Sequence, residues 1–136
     1  MRIDRVFIAK RMQLVLAWLL GILILSACGT GGDPSAQVVQ KYLQAMVAGD
    51  ASQTAKYACK DFEDQASKDA DSFTGVKASL DGAACKKTGS DQGADLVSCT
   101  GKITATYGNE QQAFDLAGPV YKVIQQNGDW LVCGRN

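Results

Sequence analysis

The hydrophobic periodicity of this chain changes once, near residue 76, and that change limits it to a small set of folds. Before it, apolar residues recur at helical spacing. Asp33-Pro34 provides a helix start, with a side-chain acceptor at the N-cap and proline at the first helical position. Val39, Tyr42, Leu43, Met46 and Val47 then make one apolar face, and Gly49 ends it. Asp50 opens a second helix, with Gln53 three residues on as a capping box. Phe62, Ala66, Ala70 and Phe73 mark a third helical face, stopped by Gly75. Beyond that point the runs are short, β-branched and turn-bounded: Leu96–Cys99, Lys102–Tyr107, Gln111–Leu116, Val120–Ile124 and Trp130–Cys133. Gly108-Asn109 and Asn127-Gly128 separate neighbouring runs, the second being the strongest short hairpin signal in the chain. Helices first and an antiparallel meander second predict an α+β domain, with the N-terminal helices packed on an antiparallel sheet.

The first 33 residues stand apart from that domain. Arg2, Arg5, Lys10 and Arg11 against Asp4 give residues 1–27 a net +3, so the neutral 136-residue chain carries −3 in its remaining part. An unbroken apolar run, Leu14 to Leu25, follows the cationic stretch. Twelve helical residues rise about 18 Å, short of the roughly 30 Å hydrocarbon core of a bilayer. A basic stretch, a short apolar run and then small residues is the order of a signal peptide. Leu25-Ser26-Ala27-Cys28 resembles the bacterial lipobox, whose cysteine is acylated before the precursor is cut ahead of it. That resemblance implies export and a lipid anchor on Cys28. The anchor would hold the chain to the outer face of the cell membrane, or to the outer membrane of a diderm cell. Two acyl chains suffice for stable anchoring. Residues 28–33 then form a short glycine-rich tether, and 34–136 the folded domain.

Setting Cys28 aside leaves Cys59, Cys85, Cys99 and Cys133, an even number in an exported chain, where such sets are usually paired. Four cysteines allow three connectivities. Cys85 and Cys99 flank the turn-rich Gly89-Ser90-Asp91-Gln92-Gly93, so a pairing across a hairpin is favoured. That pairing leaves Cys59 to reach Cys133. No Cys-x-x-Cys motif is present to suggest a redox or zinc site.

Composition excludes more than it selects. A mildly acidic domain whose one basic doublet is Lys86-Lys87 does not suit nucleic acid, which needs clustered cations. The chain has no histidine, which removes Ser-His-Asp and Cys-His catalysis and the common histidine metal sites. It also lacks a glycine-rich phosphate loop. The acids Asp61, Glu63, Asp64, Asp69 and Asp71 miss the calcium-loop pattern: counted from Asp69, the sixth position is Thr74 and the twelfth Leu80. No catalytic residue, metal ligand or cofactor is assigned.

The first helix running into Ala48-Gly49-Asp50, and the closing Asn127-Gly128-Asp129-Trp130-Leu131-Val132, resemble the nuclear transport factor 2-like, or cystatin-like, superfamily. That resemblance implies a strongly bent sheet wrapped on helices into a cone. Tyr42, Met46, Phe62, Phe73 and Trp130 are the residues expected to line or fill the cone. Trp130 and Val132 share one strand face and Leu131 and Cys133 the other, and periodicity leaves open which face meets the helices. Three roles follow for such a domain. The first is a non-catalytic module that binds a partner protein of the envelope, and the second a carrier or sensor of a small apolar ligand. The third is an isomerase-like or polyketide-cyclase-like enzyme, needing a carboxylate base in an apolar pocket beside a tyrosine.

Overall fold

The computed structural model describes residues 32–136, and the signal segment and Cys28 lie outside the described residues. Helix α1 spans Pro34–Val47. Its Val39, Tyr42, Leu43 and Met46 lie between 0 and 4% exposed, and burying each side chain of this size is worth about 1.5–3 kcal/mol. Asp33 precedes the helix, but its carboxylate makes no capping bond; its carbonyl accepts from Gln37 N. Asp50 does cap helix α2, Ala51–Lys56, taking Gln53 N at 2.9 Å. The reciprocal half of the expected box is not made, because the Gln53 side chain donates to the Tyr57 hydroxyl instead. A 3-10 turn, Lys60–Phe62, leads into α3, Glu63–Asp71, which buries Ala66 and Ala70 completely. Phe62 and Phe73 flank α3 rather than lying within it, each half-buried.

Five antiparallel strands follow: β1 Lys77–Asp91, β2 Ala94–Tyr107, β3 Glu110–Asp115, β4 Val120–Gln126 and β5 Asp129–Arg135. The sheet order is β1-β2-β4-β5, with β3 also paired to β2. One edge of β2 therefore serves two neighbours, β4 along Asp95–Ser98 and β3 along Lys102–Tyr107. Gly101 lies at the change of partner with φ +94, facing an irregularity in β1 between Asp81 and Ala84. A bulge paired with a left-handed glycine is a standard way to bend a strand sharply.

Two hairpins close on two-residue turns with both φ values positive, Gln92-Gly93 (49° and 83°) and Asn127-Gly128 (52° and 87°). The first turn is tighter than the sequence suggested. Strand β1 continues through Gly89 to Asp91, and the extra turn-like residues are absorbed by a register shift between Lys87 and Gly89.

The core is filled by Tyr42, Leu43, Val39, Val97, Val123, Val132 and Tyr121, all no more than 1% exposed. The inward face of β5 is thus the one carrying Val132, leaving Leu131 paired with Ile124 on the outer side, both half-buried. The cysteines form two pairs. Cys85 sits opposite Cys99 across β1 and β2, Cα to Cα 4.0 Å, and Cys59 joins Cys133 at 4.9 Å. Beside the second pair, Ala58 bridges Val132 in parallel. Cys59 N donates to Val132 O and Val132 N to Tyr57 O, both at 2.8 Å, so the outer edge of β5 is covered. No helix among the described residues is long and apolar enough to cross a membrane.

Candidate functional site

Four elements bring polar side chains to one end of the cone. Helix α1 contributes Tyr42, and α3 contributes Gln65 and Asp69, four residues apart on one face. Tyr121 of β4 and Arg135 of β5 are direct cross-strand partners. Asp69 is the hub. Its Oδ2 accepts from the Tyr42 hydroxyl at 3.0 Å and pairs with Arg135 Nη1 at 3.0 Å. Its Oδ1 accepts from Gln65 Nε2 at 2.9 Å and Arg135 Nη2 at 3.3 Å. The guanidinium grips the carboxylate with both Nη groups, the strongest form of this pairing.

Burial dominates the electrostatics. It pushes the Tyr42 hydroxyl far above the ordinary phenol range, and the neighbouring Asp69 charge and hydrogen bond add to it. Tyr121 is raised by burial too, with Arg135 beside it taking part of the shift back. Burial works against the charge on Arg135, but Asp69 and the two phenols outweigh it and raise its pKa. Both tyrosines are therefore held neutral and Arg135 held charged. Tyr42 meets Tyr121 edge-on, ring centres 6.2 Å apart, and stacks against Phe62 at 6.4 Å.

Beside this cluster lies a half-open cleft of about 210 Å³. Its apolar wall is Met46, Phe73, Ile103, Phe114, Leu116 and Pro119, and its polar border is Asp69, Ser72, Asp115, Tyr121 and Arg135. Of the residues singled out from sequence, Met46 and Phe73 reach this wall. Tyr42 and Phe62 are packed behind it. Trp130 packs half-buried against the core but lines a separate groove with Pro34, Lys41, Lys56 and Tyr57, so the five do not converge on one cavity. Asp69 stood in the sequence only as one acid of a failed calcium pattern, and Tyr121, Arg135 and Phe114 were not among the expected cavity residues. Asp69 and Arg135 are 66 positions apart, and only the fold joins them.

The arrangement limits the chemistry. Asp69 accepts hydrogen bonds from Tyr42 on Oδ2 and from Gln65 and Arg135 on Oδ1, and Arg135 Nη1 pairs with Oδ2, so it is an occupied ion-pair partner. Among the described residues, no group of three or more acids or cysteines is placed to hold a metal ion.

Comparison with solved structures finds an NTF2-like protein with a cystatin-like fold from Novosphingobium aromaticivorans. The two superpose with a TM-score of 0.55 at 10% identity, covering 99% of this chain and 89% of that one. The fold is cystatin-like. At this identity the likeness carries the architecture and not the activity. No protein-family model matches the sequence, and no characterised protein does.

Proposed function

We propose that this chain is an exported lipoprotein, anchored through Cys28, whose cystatin-like domain is a non-catalytic module that binds a partner protein of the envelope. The observation that carries the binding role is the occupied cone. Tyr42, Tyr121, Leu43, Val97, Val123 and Val132 fill its interior, and of the two carboxylates at the cleft Asp69 is clamped by Arg135 while Asp115 accepts from Ala117 N. The cleft beside Asp69 is about 210 Å³, below the roughly 300–1,000 Å³ of most small-molecule sites. The larger hollows, about 420 Å³ beside Trp130 and about 500 Å³ beside Asp81 and Lys102, are half-open grooves, an arrangement that suits recognition at the surface. The two cysteine pairs are compatible with an oxidising compartment, and hence with export.

A second reading draws on the same cleft: its apolar wall beside Arg135 suits a small apolar ligand with one acceptor group. Isothermal titration with short-chain fatty acids tests it, since saturable binding lost in Phe73→Ser would favour a carrier. The anchoring half of the proposal is tested by fractionating cells that express the full chain. Native protein is expected in the membrane pellet, and Cys28→Ser is expected to lose lipid labelling. A Cys28→Ser variant that still incorporates labelled fatty acid would refute it.

A further inference from the structure

The β2–β3 hairpin ends in an open strand edge. β3 pairs with β2 without interruption from Glu110 to Asp115 and, among the described residues, with no other strand. All six of its residues are exposed. Edge strands are normally blunted by proline, lysine, a bulge or a covering segment. Glu-Gln-Gln-Ala-Phe-Asp has no proline or lysine, and its register contains no bulge. The edge of β5, by contrast, is covered by the Ala58 bridge.

Exposed aromatic surface gathers in the same place. Phe114, 41% exposed, and Tyr107, 37% exposed, are the exposed large hydrophobic residues among those described, and both belong to this hairpin. Phe114 stands opposite Ile103, a buried residue, so it continues the inner face of the sheet. Tyr107 lies on that face as well, four residues along β2 from Ile103. Phe114 is also part of the cleft wall. A row of unsatisfied backbone groups thus runs beside an aromatic ledge.

We propose that the free edge of β3 receives an extended segment of a partner protein, added antiparallel as a further strand. It would carry basic residues opposite Glu110 and Asp115, and an apolar side chain beside Phe114. The inference rests on the interaction reading above and names the surface and the partner chemistry. Strand addition draws affinity from main-chain hydrogen bonds and specificity from alternate side chains. The acids at the two ends of β3 decide the occupant. In a second copy paired antiparallel about Gln112 and Ala113, Glu110 would face Asp115 at both ends, and like charges directly opposite are destabilising. Asp115 has Lys102 across from it on β2, whereas the register neighbour of Glu110 is Tyr107.

The test uses the full chain, extracted from membranes in detergent, and a blocked fluorescent hexapeptide Lys-Val-Thr-Val-Thr-Lys, whose lysines match the spacing of Asp115 and Glu110. Saturable anisotropy is expected, with slowed amide exchange confined to β3. The same peptide with glutamate at both ends is expected to bind about tenfold more weakly. Phe114→Ser, at an exposed position, is expected to weaken binding at least about fivefold, and Glu110→Lys to reduce the preference for the basic peptide. No saturation by either peptide at millimolar concentration overturns the proposal, as does binding indifferent to Glu110→Lys. Protection of β3 in a concentration-dependent dimer overturns it in favour of a second copy. In cells, a photoreactive residue in place of Gln112 and another in place of Lys86 separate the two claims. A protein cross-linked from position 86 alone refutes the edge assignment and leaves the interaction reading standing; no cross-link from either position counts against both.

Discussion

Replacing Gly101 with alanine is the sharpest test of how the sheet is bent. Gly101 has φ +94, a conformation that costs an L-residue about 1–2 kcal/mol. A Cβ built there would lie 2.5 Å from Gly82 O, 2.6 Å from Gly82 C and 2.7 Å from Asp81 O. Every one of these is a backbone atom in the paired strand, so no side-chain rotation relieves the clash. Shifting β1 away would disturb the pairing that flanks it, Asp81 with Lys102 and Ala84 with Thr100. Overpacking of this kind costs about 1–3 kcal/mol, and the two effects together come to about 2–5 kcal/mol. For a domain near this size, 1 kcal/mol shifts Tm by about 4–8 °C, so a loss of about 8 °C or more is expected. Gly118→Ala serves as the control, because a Cβ there meets nothing within 4 Å and its φ is not in the left-handed region. Circular-dichroism melts of both variants decide the matter. A Gly101→Ala melting point within about 3 °C of Gly118→Ala, the scatter that about 0.5 kcal/mol of neutral surface change produces, would refute the reasoning.

Further predictions concern the polar cluster and the cross-links. Tyr42 and Tyr121 have raised pKa values, so the fold favours their protonated forms; the stability this contributes is intact below the ordinary phenol pKa of about 10 and is lost as pH rises above it. Ultraviolet titration should leave these two phenols un-ionised until the chain unfolds in alkali, and full reversible ionisation of all four tyrosines in the native state would contradict it. Asp69→Ala strands a buried hydroxyl and a one-third-exposed guanidinium, and should cost about 1.5–3 kcal/mol in urea unfolding. An Asp69→Ala, Arg135→Met cycle should give a favourable coupling, and additive losses would show that the pair is decorative. The Cys59–Cys133 loop spans 74 residues and the Cys85–Cys99 loop 14. Chain entropy then assigns them about 4.4 and about 3 kcal/mol, so removing the longer cross-link should be the more damaging change.

Much of this architecture was legible because its signals are local. The helical face of α1 and the Asp50 cap need only a few neighbouring residues to be recognised. So does the Asn127-Gly128 turn, whose positive φ values suit that dipeptide. Asp33 misled in detail: proline at the first helical position organises the start without the carboxylate, which makes no capping bond. The long β1 was hidden because Gly82, Gly89 and the lysines interrupt its alternation, and the bulges that absorb them exist only through pairing with β2. The candidate site was hidden for a stronger reason. Asp69 reads as one more solvated helix acid until β5 brings Arg135 to it, and Trp130, packed against the core, faces a groove other than the cleft. Long-range pairing assembles the site, and no window of sequence contains it.

The central claim is that an anchored, cross-linked chain presents this domain at a membrane, and the intact mass of the protein from its native host tests it most directly. The account predicts loss of residues 1–27, the added mass of two or three acyl chains on the new N-terminal Cys28, and four missing thiol hydrogens from the two cysteine pairs. A mass equal to the full 136-residue chain, with no acyl addition, would contradict it.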